Sequence, residues 1–588
     1  MTAYNVILDN ILYIIIDRIL QCRVIIISWE KVEMKGGNMK KGISFLLILA
    51  MCVTMLSACS GGNEASKDSA KSGGGAGQDK IVRIMFSNTP YLDPAVGSDE
   101  ASTAAFPNIY DSLVVPTHDG DTEPSLATEW TVSEDGLTWV FKLRDDVKFH
   151  NGEPLKASDV VFTMNRLLTI GEGFAYLFQG KVKETTALDD YQVQFTLSEP
   201  FGPFLSTLVR LYIVSEKDVM DNLSDGNYGE FKDYGKAYLN EHDAGSGPYQ
   251  VTEYVSGDHV SGTKFDGYFD KFDEGSPESF KFMVSPESVT VKTMMSRKEV
   301  EITDMFQPME AFEELDKMDG VSVMKFFGGS MMYLTMNNKK APTDDIHFRK
   351  AMAYLADRAN MVESIFPGSK VADGPVTQVL AGSLDEKLTY DYSLEKAEEE
   401  LKLSKYYDQL DGLDYTIYWV AETPDREKLA LLIQSDAAKI GLNVNVEKVP
   451  WLTFVESAAT PEQSPNSGTI LTTPSYSEAG SQLVASYLSK EIGSWESLDW
   501  YSNDKVDTVI KDAISTIDRE ERLKKYEEAQ RLIMEDYATV PLFELVETHA
   551  YQSGYLYWEA ADRAEKGESV VPVMGYQYSL KGMKFLDE

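Results

Sequence analysis

The sequence predicts an α/β protein of two or three lobes, carried behind a secretory leader. Three observations lead there. The chain has 588 residues, more than one hydrophobic core usually holds. From Lys80 onward, short apolar runs alternate with longer segments of helical spacing, the pattern of strands followed by helices. Composition is that of a globular protein, with 43% hydrophobic and 25% charged residues. The net charge of −39, from 55 basic and 94 acidic residues, argues against a nucleic-acid partner, which needs a basic face.

The leader comes first in the chain. Residues 1–38 contain VILDNILYIIIDRILQCRVIIIS, whose Asp9, Asp17, Arg18 and Arg23 are costly inside a bilayer. They are expected to be an upstream extension, with translation starting at Met39, or alternatively at Met34. Residues 39–58 read as a lipoprotein signal peptide: Lys40 and Lys41, then the apolar run Ile43–Met55, then small residues. Leu56-Ser57-Ala58-Cys59 resembles a bacterial lipobox, so Cys59 is the expected lipidation site and membrane tether. The Gly/Ser/Lys-rich linker over 59–79 is a flexible leash with an r.m.s. span of about 25 Å. All three cysteines, Cys22, Cys52 and Cys59, lie within this region. The body therefore has no disulfide or thiolate site, which suits an extracytoplasmic protein.

The elements of the body follow in order. IVRIMF (Ile81–Phe86) is a short apolar strand. LTWVFKLR (Leu137–Arg144) alternates, placing Trp139, Phe141 and Leu143 on one face. Asn151-Gly152 marks a turn, and Ser158–Thr169 reads as a helix. Asp344–Phe366 reads as one helix, with Phe348, Met352, Leu355, Ala359, Val362 and Phe366 at three- and four-residue steps. Asp425–Ile440 is another, with Gly441 placed as its C-cap, and the strand LNVNVEKV follows. Asp518–Tyr537 is a charged helix that turns Leu523, Tyr526 and Ile533 inward.

Catalytic patterns are missing. There is no G-x-S-x-G elbow, P-loop, H-E-x-x-H or EF-hand loop. The six histidines, His118, His150, His242, His259, His347 and His549, are scattered without metal-ligand spacing and read as surface or turn residues. Asp145-Asp146 and Asp344-Asp345 read as solvated turns or helix starts. No enzyme activity, cofactor or metal is expected.

Five stretches in order resemble the peptide/nickel group, family 5, of extracytoplasmic solute-binding proteins of ABC importers. They are YLDPAVGSDEASTAAFPNIYDSLV (Tyr91–Val114), the block from Pro124 to Leu168 containing LTWVFKLRDDVKFHNG, GSGPYQV (Gly245–Val251), Tyr333–Val362, and Val506–Phe543. The resemblance covers nearly all of the body. It implies a two-lobe α/β periplasmic-binding-protein-like fold, class II of the large type, with an extra inserted domain. Lobe I would comprise 80–118, 245–330 and 541–588, the extra domain 119–244, and lobe II 331–540. It implies a monomer that captures a small solute, peptide by default, between its lobes and delivers it to a membrane permease.

The ligand anchors depart from the family pattern. An acidic residue in a loop resembling D-Y-x-[DE]-P grips a peptide's ammonium in the family; here the loop looks like SYSEAGSQL, with Ser475 at the acidic position and Glu478 nearby as a substitute. A hydroxyl cannot offset the burial of an ammonium. WLTFVESA keeps Trp451 but offers Ala458 where some relatives place an arginine for the peptide carboxylate. Candidate wall residues are Trp451, Trp419, Tyr476, Thr473, Ser475, Asn88 and Thr89, with Trp451 foremost because aromatic platforms serve peptides and sugars alike. An oligosaccharide, a metal chelate, a backbone-held peptide and a non-transport surface receptor stay open as alternatives.

Overall fold

A computed structural model describes residues 80–586 other than 286, 422 and 424. The readings for residues 1–79, namely the extension, the signal peptide, Cys59 and the linker, lie outside the described residues.

The first lobe is built on a four-stranded sheet. Its order is Ile81–Phe86, Ser279–Val284, His259–Lys264, Tyr249–Val255, with the first pair parallel and the others antiparallel. Val82, Ile84, Phe86, Phe280 and Phe282 are buried on it. Each such side chain contributes about 1.5–3 kcal/mol through burial. The helix Glu100–Ile109 lies among the same core residues, and the Asp99 side chain caps its start by accepting from the Ser102 N–H.

The extra domain is an antiparallel sheet ordered Ala127–Val132, Thr138–Leu143, Gln192–Leu197, Val182–Asp189. Trp139, Phe141 and Leu143 are all buried, as the alternation predicts. Helix Ala157–Ile170 packs beside it and stops at Gly171, whose φ of +72° suits glycine. Arg166 of this helix makes a bidentate pair with Asp93 of the Leu92-Asp93-Pro94 turn, at 2.7 and 2.6 Å, with both side chains buried. That pair fastens the extra domain to the first lobe.

The second lobe holds a six-stranded sheet ordered Lys370–Val371, Thr539–Glu544, Met331–Met336, Ser467–Thr472, Thr416–Val420, Asn445–Val449. Helix Asp425–Lys439 forms the crossover between the parallel strands Thr416–Val420 and Asn445–Val449. Gly441 follows it with φ +81°, as expected of a glycine past a helix end.

Two segments connect the lobes. Ser322–Phe326 pairs with Glu547–Tyr551 on the first-lobe side, where Ile302 bridges both Ile84 and Tyr551. Met331–Met336 and Thr539–Glu544 pair within the second sheet. The chain therefore crosses at 326–331 and 544–547. The 541 boundary read from sequence falls inside a strand, because the sheet holds the chain to Glu544.

Three expectations need correction. The helix read over Asp344–Phe366 is two helices, Ile346–Leu355 and Arg358–Ser364. Ala356 turns extended (ψ 102°) and Asp357 caps a new start by accepting from the Asn360 N–H. Apolar spacing persists through the break, which is why periodicity alone misses it. His549 is fully buried between Phe326, Trp558 and Tyr578, and the side chains of His150 and His259 are nearly buried beside Asp243 and Asp258. Finally, helices Gly480–Tyr487, Asp504–Ser515 and Arg519–Glu535, read as part of lobe II, place Leu483, Ile510, Tyr526 and Ile533 in the core shared by the first lobe and extra domain.

Candidate functional site

The loop after strand Ser467–Thr472 meets the crossing segments and the extra domain at once. Thr473 shares a hydroxyl–hydroxyl bond of 3.1 Å with Ser330, which lies on the 326–331 crossing. The Ser330 hydroxyl also reaches Glu547 at 3.4 Å, on the other crossing side. Ser475 Oγ lies 2.5 Å from the Tyr176 hydroxyl of the extra domain. Its carbonyl accepts from Arg210 Nε at 3.0 Å, while Arg210 Nη1 donates to the Met574 carbonyl and the guanidinium covers the Phe174 ring at 4.7 Å. One short loop thus touches a crossing segment and the extra domain.

Glu478 is committed elsewhere. It is fully buried and forms a bidentate pair with Arg522, at 2.9 Å to Nε and 2.7 Å to Nη2. Both its oxygens face a guanidinium, so it is not free to replace an acidic anchor at position 475. The pair instead pins the loop to helix Arg519–Glu535.

Trp451 opens the helix Trp451–Ser457 after Pro450, and its ring runs parallel to Phe454 (6.0 Å, 13°) and edge-on to Trp495 (5.1 Å, 70°). It is partly buried. Ala458, at the end of the same helix, is completely buried beside Phe454 and Val449. That position has no room for a carboxylate-binding guanidinium. Trp419 and Tyr476 are both only 3% exposed. Tyr476 belongs to the core with Ala479, Leu483 and Tyr526, and Trp419 lies under Lys448 at 5.2 Å. Asn88 and Thr89 bond within the first lobe, to Asp99 and to the Gly257 N–H, and are not drawn to the 473–478 loop.

The structure adds Tyr176 and Arg210, neither of them signalled in the sequence, where they lie far from the loop. Tyr176 is 49% exposed, yet burial pushes its phenol up to about 12, with the charge on Glu496 adding to it. Glu496, partly accessible on the turn Trp495–Ser497, is pushed up to about 7 by burial, with Glu491 contributing. Glu547 is raised to about 7 by burial against its Ser330 bond. Arg210 is buried, and its Nη2 has no hydrogen-bond partner among the described residues.

An open polar groove of about 440 Å³ lies away from this loop, lined by residues that include His150, Asp218, Glu241, Asp243 and Glu253. None of the sequence-derived candidates lines it. Among the described residues no group of three His, Cys, Asp or Glu side chains could hold a metal ion, and no helix is long and apolar enough to cross a membrane.

Residues 121–492, more than half of the chain, match the profile of the family described as bacterial extracellular solute-binding proteins, family 5 Middle. Over 481 residues the chain is 28% identical to the Probable D,D-dipeptide-binding periplasmic protein DdpA of Escherichia coli, covering 79% of this chain and 89% of that protein. It is 25% identical over 551 residues to the Dipeptide-binding protein DppE of Bacillus subtilis, covering 87% and 94%. Among solved structures, it resembles the ABC transporter-associated periplasmic binding protein DppA from Helicobacter pylori in complex with peptide STSA, with TM-score 0.72 and 22% identity over 86% of this chain and 98% of that one. That likeness is one of fold: mixed α/β, two lobes, class II, with the extra domain.

Proposed function

The chain belongs to the bacterial extracellular solute-binding proteins of family 5, and from that premise we propose that it is the lipid-anchored capture subunit of an ABC importer for short peptides. Membership of a solute-binding family makes it a receptor and not an enzyme. The observation that carries the reading is the profile match over residues 121–492. Relatives named for dipeptides support peptides as the ligand class. The lipobox-like Leu56-Ser57-Ala58-Cys59 supports the anchor.

The geometry gives this function a physical form. Two crossing segments provide a hinge, and the 473–478 loop contacts Ser330 beside one of them, and Tyr176 and Arg210 on the opposite wall. Ligand contacts made only when the walls approach would favour the closed state, which a permease then recognises. Trp451, Thr473 and Ser475 supply an aromatic face and hydroxyls along the second-lobe wall, and Tyr176 of the extra domain meets Ser475.

A thermal-shift panel tests the ligand class. Trialanine, maltotriose and a nickel–histidine chelate are each added to the purified protein. A ligand at a hundred times its Kd adds about 2.7 kcal/mol of stability, so a shift with trialanine alone is the expected result. A shift with the sugar or the chelate and none with the peptide would refute peptide capture.

A further inference from the structure

We propose that the small cavity lined by Arg210 and Tyr212 is a chloride site, whose ion neutralises the buried guanidinium that holds the 473–478 loop. The inference does not depend on which solute the protein captures.

The cavity lies where helix Ala157–Ile170, the turn after Asp93 and the segment 210–214 meet, and every residue lining it is buried. Its volume is about 10 Å³, room for one small occupant. Arg210 is 1% exposed, and its Nε and Nη1 donate to the Ser475 and Met574 carbonyls at 3.0 and 2.9 Å. Its Nη2 has no acceptor, and among the described residues the guanidinium is in no ion pair. Two other buried arginines of the same core differ. Arg166, which lines the same cavity, is held bidentately by Asp93, and Arg522 is held by Glu478. A buried guanidinium satisfied only by carbonyls keeps its full charge where burial penalises it.

Tyr212 supplies a second donor. It is 2% exposed, and its hydroxyl has no hydrogen-bond partner among the described residues. The hydroxyl of Tyr576, its electrostatic neighbour, gives its own proton to the Val209 carbonyl at 2.8 Å. The Thr163 hydroxyl, also in the lining, donates to the Asp159 carbonyl at 2.7 Å and accepts the Val214 N–H at 3.1 Å. Other lining side chains, such as Leu167 and Leu211, are apolar. Two unspent donors, one uncancelled positive charge and no free side-chain acceptor specify an anion. A water accepts from both donors, but its own two hydrogens find no side-chain acceptor in the lining. Chloride accepts both bonds and cancels the charge. The volume suits a monatomic ion and is too small for phosphate or sulfate.

Melting of the purified protein in sodium chloride, against sodium gluconate at equal ionic strength, tests the site, with wild type, Tyr212→Phe and Arg210→Met. Wild type should melt higher in chloride, by about 1–2 °C for each tenfold rise in chloride above its Kd. Tyr212→Phe keeps the shape and removes one donor, so its response should need about 10-fold more chloride. Arg210→Met removes the charge and should abolish the response. Crystals soaked in sodium bromide give a direct readout that needs no variant: an anomalous peak between Arg210 Nη2 and the Tyr212 hydroxyl is the expected result. Equal melting of wild type in chloride and gluconate would overturn the site. So would a chloride response unchanged in Tyr212→Phe, or a water in the cavity of the bromide-soaked crystal.

Discussion

At the scale of single residues, the Glu478–Arg522 pair shows how a local sequence motif can mislead. Glu478 stands three positions after Ser475 and reads as a spare acid for the ligand. Its partner lies 44 residues further on and is unrecognisable until the helix Arg519–Glu535 is packed against the loop. Once both are buried, the pair is structural. Arg522→Met should leave a desolvated carboxylate and lower stability by about 3–5 kcal/mol, read from the urea midpoint. Glu478→Gln combined with Arg522→Met should regain much of that loss, since no unpaired charge remains. A single variant as stable as wild type would show that the pair does not hold the loop. What was legible at this scale was chemical type: Ser475 cannot carry charge, and Ala458 cannot reach a carboxylate. What was not legible was company: Tyr176 and Arg210 reach the loop only through tertiary packing.

At the scale of elements, periodicity located nearly every helix and strand it was asked about, because burial imposes it. Strand Thr138–Leu143 buries the face its alternation named, and helix Asp425–Lys439 stops before Gly441. Periodicity failed over Asp344–Phe366 for a definite reason. Both helices there bury one face in the same core, so the apolar steps continue across a backbone break. The break is set by Asp357, whose side chain accepts from the Asn360 N–H at 3.2 Å. Asp357→Ala should remove that cap and cost about 1 kcal/mol in urea unfolding. Asp357→Asn, which keeps an acceptor, should cost only a few tenths. An Ala variant without loss would mean that packing alone sets the break.

At the scale of the whole molecule, the length, the strand–helix alternation and five ordered blocks made the two-lobe plan readable. The crossing points were less so, since a strand's membership in one sheet or another depends on partners remote in sequence. Folding also leaves many acids desolvated. Burial raises Glu301, Glu496 and Glu547 to about 7, Asp499 to about 8, and Asp111, Asp159 and Asp304 to about 6. Each of these groups binds a proton in the folded state at a pH where the unfolded chain has lost it. Their contribution is therefore present at low pH and is lost as pH rises through these values. His549, lowered to about 4 by burial, opposes them below about pH 6.5, where the unfolded histidine takes up a proton. The melting temperature should accordingly be higher at pH 6 than at pH 8 by about 2–5 °C. A lower value at pH 6 would show that these carboxylates are solvated in the folded protein. On the proposed function, the protein is a receptor that closes on its ligand and releases it unaltered. Native mass spectrometry of the purified protein with trialanine, followed by recovery of the bound peptide, tests that most directly. One intact tripeptide per chain is the expected result; no complex, or a peptide recovered cleaved, would contradict it.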